Sequence, residues 1–267
     1  MINQDVSYTL TEGPEESAHH FARYLADFIQ ERNERNLPTR LILPVGPVRP
    51  YPILARMINE EKISWKNVHI FNMDEYLDWQ GRPIEEDHAY SFKKFMNEFH
   101  ESLHPSLSPP KDQRHFPDVY NIDDISSKIE QVGGIDLCLG GVGVHGHVAF
   151  NEPVISRFQQ VTIEEFRNSK TRILSLAPET QVMNSIRTNG GSFDEFPPMA
   201  ITLGMKDIMN ARKIRLYCDG GTWQQEAFYQ AICGKEDVRY PVTLLQDHAD
   251  LQFIATKETA LKVINQS

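Results

Sequence analysis

Strand-like and helix-like segments alternate along almost the whole chain, and this alternation constrains the fold more than any other feature of the sequence. Parallel strands need long, usually helical connections, so this order favours a largely parallel sheet with helices on both faces. We therefore predict an α/β fold, with one domain over 1–267 built on an open, mostly parallel, doubly wound sheet of Rossmann-like type. The predicted strands lie at 39–45, 67–71, 115–116, 135–139, 172–175, 200–203, 213–218 and 251–255. The predicted helices lie at 14–35, 52–59, 88–99, 122–131, 178–185 and 223–232, with a last one starting near 257.

Composition and charge limit the kinds of partner. With 267 residues, 40% of them hydrophobic and 24% charged, the chain can bury a full core. The formal net charge of −10 argues against nucleic acid or an anionic membrane, because basic surfaces supply most of the affinity for both. The three cysteines are widely spaced, which disfavours a disulfide scaffold. The first residues lack a leader pattern and no apolar run could span a bilayer, so we expect a cytoplasmic protein.

A glycine-rich turn after the apolar run at 135–139 is the strongest functional signal. Residues 140–153 read GGVGVHGHVAFNEP. In an open α/β sheet, ligands bind at the carboxyl ends of the strands, so this turn would deliver His145, His147 and Glu152 to such a place. Histidine exchanges protons near neutral pH, and a neighbouring carboxylate can orient the ring. The pattern predicts a proton-transfer site.

A second strand-like run, at 68–76, carries the carboxylates of Asp74 and Glu75 near its end. Successive side chains of a strand point to opposite faces, so at most one of the two should face a shared pocket. A carboxylate at one strand end and a histidine at another could divide base and acid roles between them.

Simpler interpretations of these residues stay open at this point. His145 and His147 could be loop histidines whose polar atoms bond to the backbone. Their spacing also suits a metal ion, with Glu152 or Asp74 as a third ligand. Asp74 and Glu75 could cap the following helix, and the glycines could be ordinary turn residues.

Several motifs together resemble the glucosamine-6-phosphate deaminase family. They are LPVG at 43–46, FNMDEY at 71–76, GGVG at 140–143, GHVAFNEP at 146–153 and AITLG at 200–204. The resemblance follows the family's order over most of the chain, and the wider family includes galactosamine-6-phosphate isomerases and 6-phosphogluconolactonases. The FNEP ending at 150–153 favours the amino-sugar branch.

The resemblance implies an enzyme that converts glucosamine 6-phosphate or galactosamine 6-phosphate to a keto-sugar phosphate and ammonia, without metal or organic cofactor. Asp74 would move a proton from C2 to C1 of the sugar. His147 would assist ring opening, with Glu152 relaying protons for it and His145 beside it. The expected substrate contacts are Gly46, Arg49, Glu75, Gly141, Gly143 and Arg187.

The sequence departs from the family pattern at several places. The family's acid two residues before the site histidine is replaced by His145, so we expect His147 to have a lower proton affinity. The phosphate-binding turn contains Pro47, which has no N–H group, although the side chain of Arg49 could supply charge. A family lysine aligns near Trp223, which we expect on the core side of its helix, with the sugar pocket as the alternative.

These departures leave three other functions open: a related isomerase for a different sugar, a non-catalytic sugar-binding homologue, and a metal hydrolase that uses the two histidines. Residues 154–170 are polar and irregular, which predicts a flap or an inserted helix. The resemblance also allows a homo-oligomer, because relatives occur as monomers and as larger assemblies.

Overall fold

The computed structural model describes residues 6–154 and 158–265 of the chain. Within these ranges, strands and helices alternate as the sequence predicts. The strands are β1 (Ser7–Thr11), β2 (Thr39–Leu43), β3 (Val68–Asn72), β4 (Asp74–Leu77), β5 (Arg114–His115), β6 (Leu137–Gly141), β7 (Arg172–Ser175), β8 (Met199–Thr202), β9 (Ile214–Cys218) and β10 (Leu251–Thr256). The helices are α1 (Pro14–Glu34), α2 (Pro50–Glu61), α3 (Phe92–Ser102), α4 (Asp124–Gln131), α5 (Ile163–Arg167), α6 (Pro178–Asn189), α7 (Met205–Met209), α8 (Gln225–Cys233) and α9 (Lys257–Ile264).

Two sheets organise these elements. The large sheet has seven strands in the order β1-β10-β9-β6-β2-β3-β5, and all of its pairings are parallel. The small sheet has three antiparallel strands in the order β4-β8-β7. The large sheet confirms the predicted α/β class, whereas the small sheet was not predicted.

Both faces of the large sheet are buried, because alternate residues of each strand enter different cores. In β2, Leu41 and Leu43 pack with α1, α2 and α3, while Ile42 packs with α4, α8 and α9 on the opposite face. In β6, Leu137 and Leu139 share the first core and Cys138 the second. This period of two is the pleat of a strand covered on both sides, as in doubly wound folds.

Local sequence explains why the first helix forms where it does. Pro14 begins α1 directly after Gly13, and Glu15 and Glu16 follow in the first turn. Their negative charges stabilise the helix because its N-terminus is the positive end of the helix dipole. Its apolar residues recur at helical spacing and form one buried stripe that covers the sheet: Ala18, Phe21, Ala22, Leu25, Ala26 and Ile29.

The backbone changes sheets at Met73, and this change positions the site. The N–H group of Met73 donates to the carbonyl of Leu43 in the large sheet (3.1 Å), while the carbonyl of Met73 accepts from Leu203 (2.7 Å). The chain then enters the small sheet, where Asp74 is opposite Thr202. The sequence suggested one run ending in two carboxylates. The structure instead divides it into two strands, with Asp74 as the first residue of the second.

Three elements lie outside the sequence-based prediction: β1, the separate strand β4, and the short helix α7. Of the predicted flap at 154–170, residues 155–157 lie outside the described part of the chain, and α5 occupies the centre of the rest. Its role as a flap stays a prediction. Among the described residues, no helix combines the length and apolar character needed to cross a bilayer.

Candidate active site

An open cleft lies at the carboxyl ends of the central parallel strands. It is lined by Gly46 after β2, Asp74 after β3, Gly141 and Gly143 at the end of β6, and Asp219 after β9. The cleft encloses about 810 Å³, including solvent at its mouth, which is within the roughly 300–1,000 Å³ typical of small-molecule sites. This is the edge of an α/β sheet at which ligands usually bind.

Asp74 is a buried carboxyl group in the wall of this cleft. Only 5% of the residue is exposed. Burial raises the pKa of Asp74 well above its ordinary value, and the neighbouring carboxyl group of Glu75 raises it further. A carboxylate that is poorly solvated and whose pKa is raised is a stronger base than a free aspartate.

The glycine-rich turn places His147 in the same cleft. The N–H group of Gly143 donates to the carbonyl of His147 (2.8 Å), which closes the turn. The imidazole then lies directly against the α-carbon of Gly143: a methyl group there would be 1.9 Å from Nε2. Asn151 holds the far end of the turn, since its side-chain amide donates to the carbonyls of Val148 (3.0 Å) and Leu203 (2.9 Å).

Glu152 and His145 lie behind His147 and are not among the residues that line the cleft. Oε1 of Glu152 is 3.8 Å from Nδ1 of His147, which is too long for a hydrogen bond. The other oxygen of Glu152 accepts from the N–H group of Ala177 (2.6 Å). His145 reaches the exposed carboxylate of Glu179 through Nε2 (3.7 Å), and its ring centroid is 6.0 Å from that of His147.

Burial shifts the pKa values of the two inner groups in opposite directions. It lowers the pKa of His147 to about 3, with the charge of His145 as a second cause. The carboxyl group of Glu152 has a raised pKa, also mainly because it is buried. The lowered proton affinity of His147 agrees with the expectation from the substitution at His145. His147 is therefore a neutral imidazole at physiological pH, able to accept a proton at one nitrogen and donate from the other.

Glu75 does not reach the cleft, although we expected it to contact substrate. Its carboxylate accepts from the N–H groups of Phe92 (2.9 Å) and Lys93 (2.7 Å) at the start of α3, and from the hydroxyl of Ser91 (3.3 Å). The strand pleat thus separates the two acids, with Asp74 in the cleft and Glu75 at the helix N-terminus. Glu75 therefore caps the N-terminus of α3, which is the alternative role that the sequence left open for it.

The positive charge that lines the cleft comes from Arg187 and not from Arg49, which we also expected to contact substrate. Arg187 lines the cleft, and its guanidinium group lies 4.9 Å from the centroid of the Trp223 ring. Arg49 is largely exposed and forms an ion pair with Asp219 at 3.6 Å. Asp219 lines the cleft, whereas Arg49 does not. Trp223 also lines the cleft, as the alternative interpretation had it, and does not pack in the core.

Apart from Arg187, which was an expected substrate contact, one wall of the cleft was missed by sequence reasoning. Helix α6 contributes Thr180, Met183, Asn184 and Arg187. Their spacing of three and four residues places them on one helix face, and this signal was visible in the sequence. The amide of Asn184 also donates to the hydroxyl of Tyr76 (3.3 Å), which connects this helix to β4.

The one group of metal-ligating side chains found among the described residues is the cluster of His145, His147 and Glu152. One ligand atom from each lies within 4.8 Å of the others. Asp74, the alternative third ligand, is not part of this cluster.

Comparison with solved structures identifies the fold. A monomeric glucosamine-6-phosphate deaminase of the NagB superfamily superposes with a TM-score of 0.79 and 24% identity, over 96% of this chain and 99% of that one. A 6-phosphogluconolactonase from Shewanella baltica superposes with a TM-score of 0.69 and 18% identity, over 96% and 100%. The fold is thus the α/β fold shared by these sugar-phosphate enzymes. No protein-family model matches the sequence.

Sequence comparison identifies the family within that class. Glucosamine-6-phosphate deaminase from Mycoplasma mycoides is 32% identical over 257 residues, covering 95% of this chain and 96% of the relative. The enzyme of the same name from Caenorhabditis elegans is 32% identical over 95% and 91% of the two chains. A glucosamine-6-phosphate isomerase from Candida albicans is 33% identical over 90% and 93%. This chain belongs to the glucosamine-6-phosphate deaminase family.

Proposed function

We propose that this protein converts glucosamine 6-phosphate, with one water molecule, to fructose 6-phosphate and ammonia. The observation that carries the proposal is that Asp74 and His147 share one cleft in a chain of this family. One group is a carboxyl with a raised pKa and the other a neutral imidazole. This pair suits a reaction that moves one proton between adjacent carbons after the sugar ring opens.

His147 acts first in the proposed sequence. Its neutral imidazole takes the proton of the C1 hydroxyl and returns a proton to the ring oxygen, which opens the ring to the free aldehyde. Glu152 faces the other ring nitrogen at 3.8 Å, so a small rotation of either side chain makes a hydrogen bond that orients the imidazole. His145 lies next to this pair, and its positive charge, when protonated, further lowers the pKa of His147.

Asp74 acts on the open chain. Its carboxylate removes the proton from C2 while the ammonium group of the substrate gives a proton to O1, which leaves a neutral enolamine. The carboxyl group then returns its proton to C1. The resulting protonated imine at C2 is hydrolysed by water to the ketone and releases ammonia as ammonium ion. A base of this kind contributes about 10²–10⁴-fold to the rate. Burial strengthens it, because a desolvated carboxylate binds protons more tightly.

The glycines of the cleft and Arg187 are the proposed substrate contacts. Gly46, Gly141 and Gly143 line the cleft without side chains, so a sugar can approach the backbone closely. Arg187 supplies positive charge for the phosphate. We also propose that the reaction takes place in the cytoplasm, in line with the free thiols of Cys138, Cys218 and Cys233.

Ammonia release tests the proposal directly. The purified chain should release ammonia from glucosamine 6-phosphate, and Asp74→Asn should lower kcat by about 10²–10⁴-fold. Asp27→Asn, the same change at an exposed position of α1, is a matched control and should retain wild-type activity. Lack of ammonia from both glucosamine 6-phosphate and galactosamine 6-phosphate would contradict the proposal.

A related isomerase for a different sugar is the second candidate, and the cationic end of the cleft favours it. Arg49 pairs with Asp219, and Pro47 lines the cleft without an N–H group to offer a phosphate. Loss of C2 deuterium from a panel of sugars, with and without phosphate, separates the candidates. A preference for an unphosphorylated amino sugar would support the second.

A further inference from the structure

Three buried polar atoms on neighbouring side chains behind the cleft have no hydrogen-bond partners among the described residues. They are Nδ1 of His147, Oε1 of Glu152 and Nδ1 of His145. His147 is 7% exposed and Glu152 is 6% exposed, so water cannot easily satisfy these atoms. Polar atoms buried in this way usually have a partner, and these three lie on side chains close enough for one ligand to serve them all.

The geometry of the cluster suits a small cation. One ligand atom from each of the three residues lies within 4.8 Å of the others, and the His147–Glu152 pair is 3.8 Å apart. Zn²⁺ with bonds of about 2.0–2.1 Å holds its ligand atoms at roughly 3.3–3.5 Å. Small side-chain rotations toward a common centre would therefore complete the site.

We propose that His145, His147 and Glu152 bind one Zn²⁺ ion. Two imidazoles and one carboxylate are a known protein ligand set for zinc, with water in the fourth position. Nitrogen and carboxylate ligands also disfavour Mg²⁺ and Ca²⁺, which prefer oxygen alone.

Neighbouring groups hold the ligands in place. Oε2 of Glu152 accepts from the N–H group of Ala177, which leaves Oε1 directed at His147. Nε2 of His145 lies 3.7 Å from the carboxylate of Glu179, so a small rotation is needed before the two form a hydrogen bond. A carboxylate behind a metal-bound histidine fixes the orientation of the ring and raises its basicity.

Zinc binding and turnover exclude each other in this arrangement. The ion would occupy Nδ1 of His147 and the free oxygen of Glu152, so neither could take part in proton transfer. Micromolar zinc should then inhibit ammonia release, and a chelator should reverse the inhibition. This consequence rests on the proposed function, whereas the zinc site does not.

Equilibrium dialysis of the full chain against Zn²⁺, without sugar, tests the site after chelator treatment. We expect one Zn²⁺ per chain, and Co²⁺ in its place should give visible d–d absorption bands. His145→Asn and Glu152→Gln should each weaken binding at least tenfold. Failure of this experiment leaves the ammonia assay unaffected, so the two proposals are tested separately.

Two matched variants control for zinc bound elsewhere. His104→Asn removes an exposed histidine, and Cys233→Ser removes a partly exposed thiol. Both should bind zinc as the wild type does. Absence of a bound equivalent in the wild type would overturn the proposal, as would equal affinity in the wild type and in both cluster variants. If one cluster variant does not fold, the other carries the comparison.

Discussion

Burial sets the pKa values of the two side chains proposed to react, Asp74 and His147. Asp74 and His147 are almost fully buried, and in each case burial disfavours the charged form. The same amino acids on an exposed loop would be an ordinary ionised aspartate and a histidine that titrates near pH 6.5. Their placement in the fold is therefore as important as their identity.

Asp74→Asn should be more stable than the wild type at neutral pH. A folded-state pKa above 3.8 means that the folded chain keeps a proton that the unfolded chain has lost, so stability falls as pH rises from 3.8 through the raised pKa. Asparagine has no such proton and escapes this loss. Urea unfolding of both proteins at a series of pH values should show a difference that shrinks toward pH 3.8. An equal difference at every pH would contradict this origin.

Gly143→Ala should disable the site while Gly13→Ala, away from the cleft, does not. A methyl group at Gly143 would overlap the ring of His147, 1.9 Å from Nε2, whereas one at Gly13 meets nothing within 4 Å. Displacement of a catalytic group by about 1 Å costs roughly 10²-fold in rate. We expect kcat of Gly143→Ala to fall by that factor, measured as ammonia release, with Gly13→Ala near the wild type. Unchanged kcat in both variants would mean that the position of the imidazole is not critical.

At the scale of elements, the change of sheet at Met73 separates two acids that are adjacent in sequence. Asp74 enters the cleft, and Glu75 binds the first N–H groups of α3. Helix α3 in turn places Phe92 in the cleft wall, with its ring centroid 4.7 Å from that of Tyr76. Strand β4 thus supplies Asp74, the proposed base, and also Glu75, which holds the start of α3 and so supports the wall that contains Phe92.

Glu75→Ala should destabilise the fold and shift the pH profile. Hydrogen bonds to a charged group contribute about 1.5–3 kcal/mol, and the variant loses those to Phe92 and Lys93. Glu75 also raises the pKa of Asp74, so its removal should move the acid limb of kcat/KM to lower pH. Thr256→Ala, which removes the N-cap of α9 and does not contact Glu75, should cost about 1 kcal/mol and leave the pH profile unchanged. An unshifted profile in Glu75→Ala would contradict the coupling.

The predicted elements were those with a clear local pattern. The apolar stripe of α1 and the buried runs of β2, β6 and β10 were placed within a few residues of their observed bounds. The small sheet was missed because its strands are short and pair with segments distant in the chain: Asp74 is opposite Thr202. Such pairings depend on the tertiary fold, and local periodicity carries little information about them.

At the scale of the whole molecule, the cleft and a buried cluster of ion pairs lie at opposite ends of the large sheet. The cleft is at the carboxyl end of β6, while Asp136 precedes the same strand. The side chain of Asp136 is 1% exposed and pairs with Arg32 of α1 (2.9 Å), Arg40 of β2 (3.5 Å) and Arg212. This group of charges joins three segments far from the reactive residues.

Asp136→Asn should reduce stability without affecting turnover. Removing one partner of a buried ion pair costs about 3–5 kcal/mol, and here the partners are three arginines. Urea unfolding should report that loss, whereas KM and kcat at low temperature should match the wild type. A fall in kcat of the folded variant would show that the two ends of the sheet are coupled.

The sequence by itself determined the fold class, the family and the two residues most central to the proposed chemistry. These follow from local patterns: strand and helix periodicity, and short motifs in a fixed order. The tertiary structure alone decided which predicted residues share the cleft. It brought Asp74, His147, Gly46, Gly141, Gly143 and Arg187 together, and left Glu75, Arg49, His145 and Glu152 outside the lining. The physical reason is that burial, pKa and direct contact depend on groups far apart in the chain, which only the packed structure brings within reach of one another.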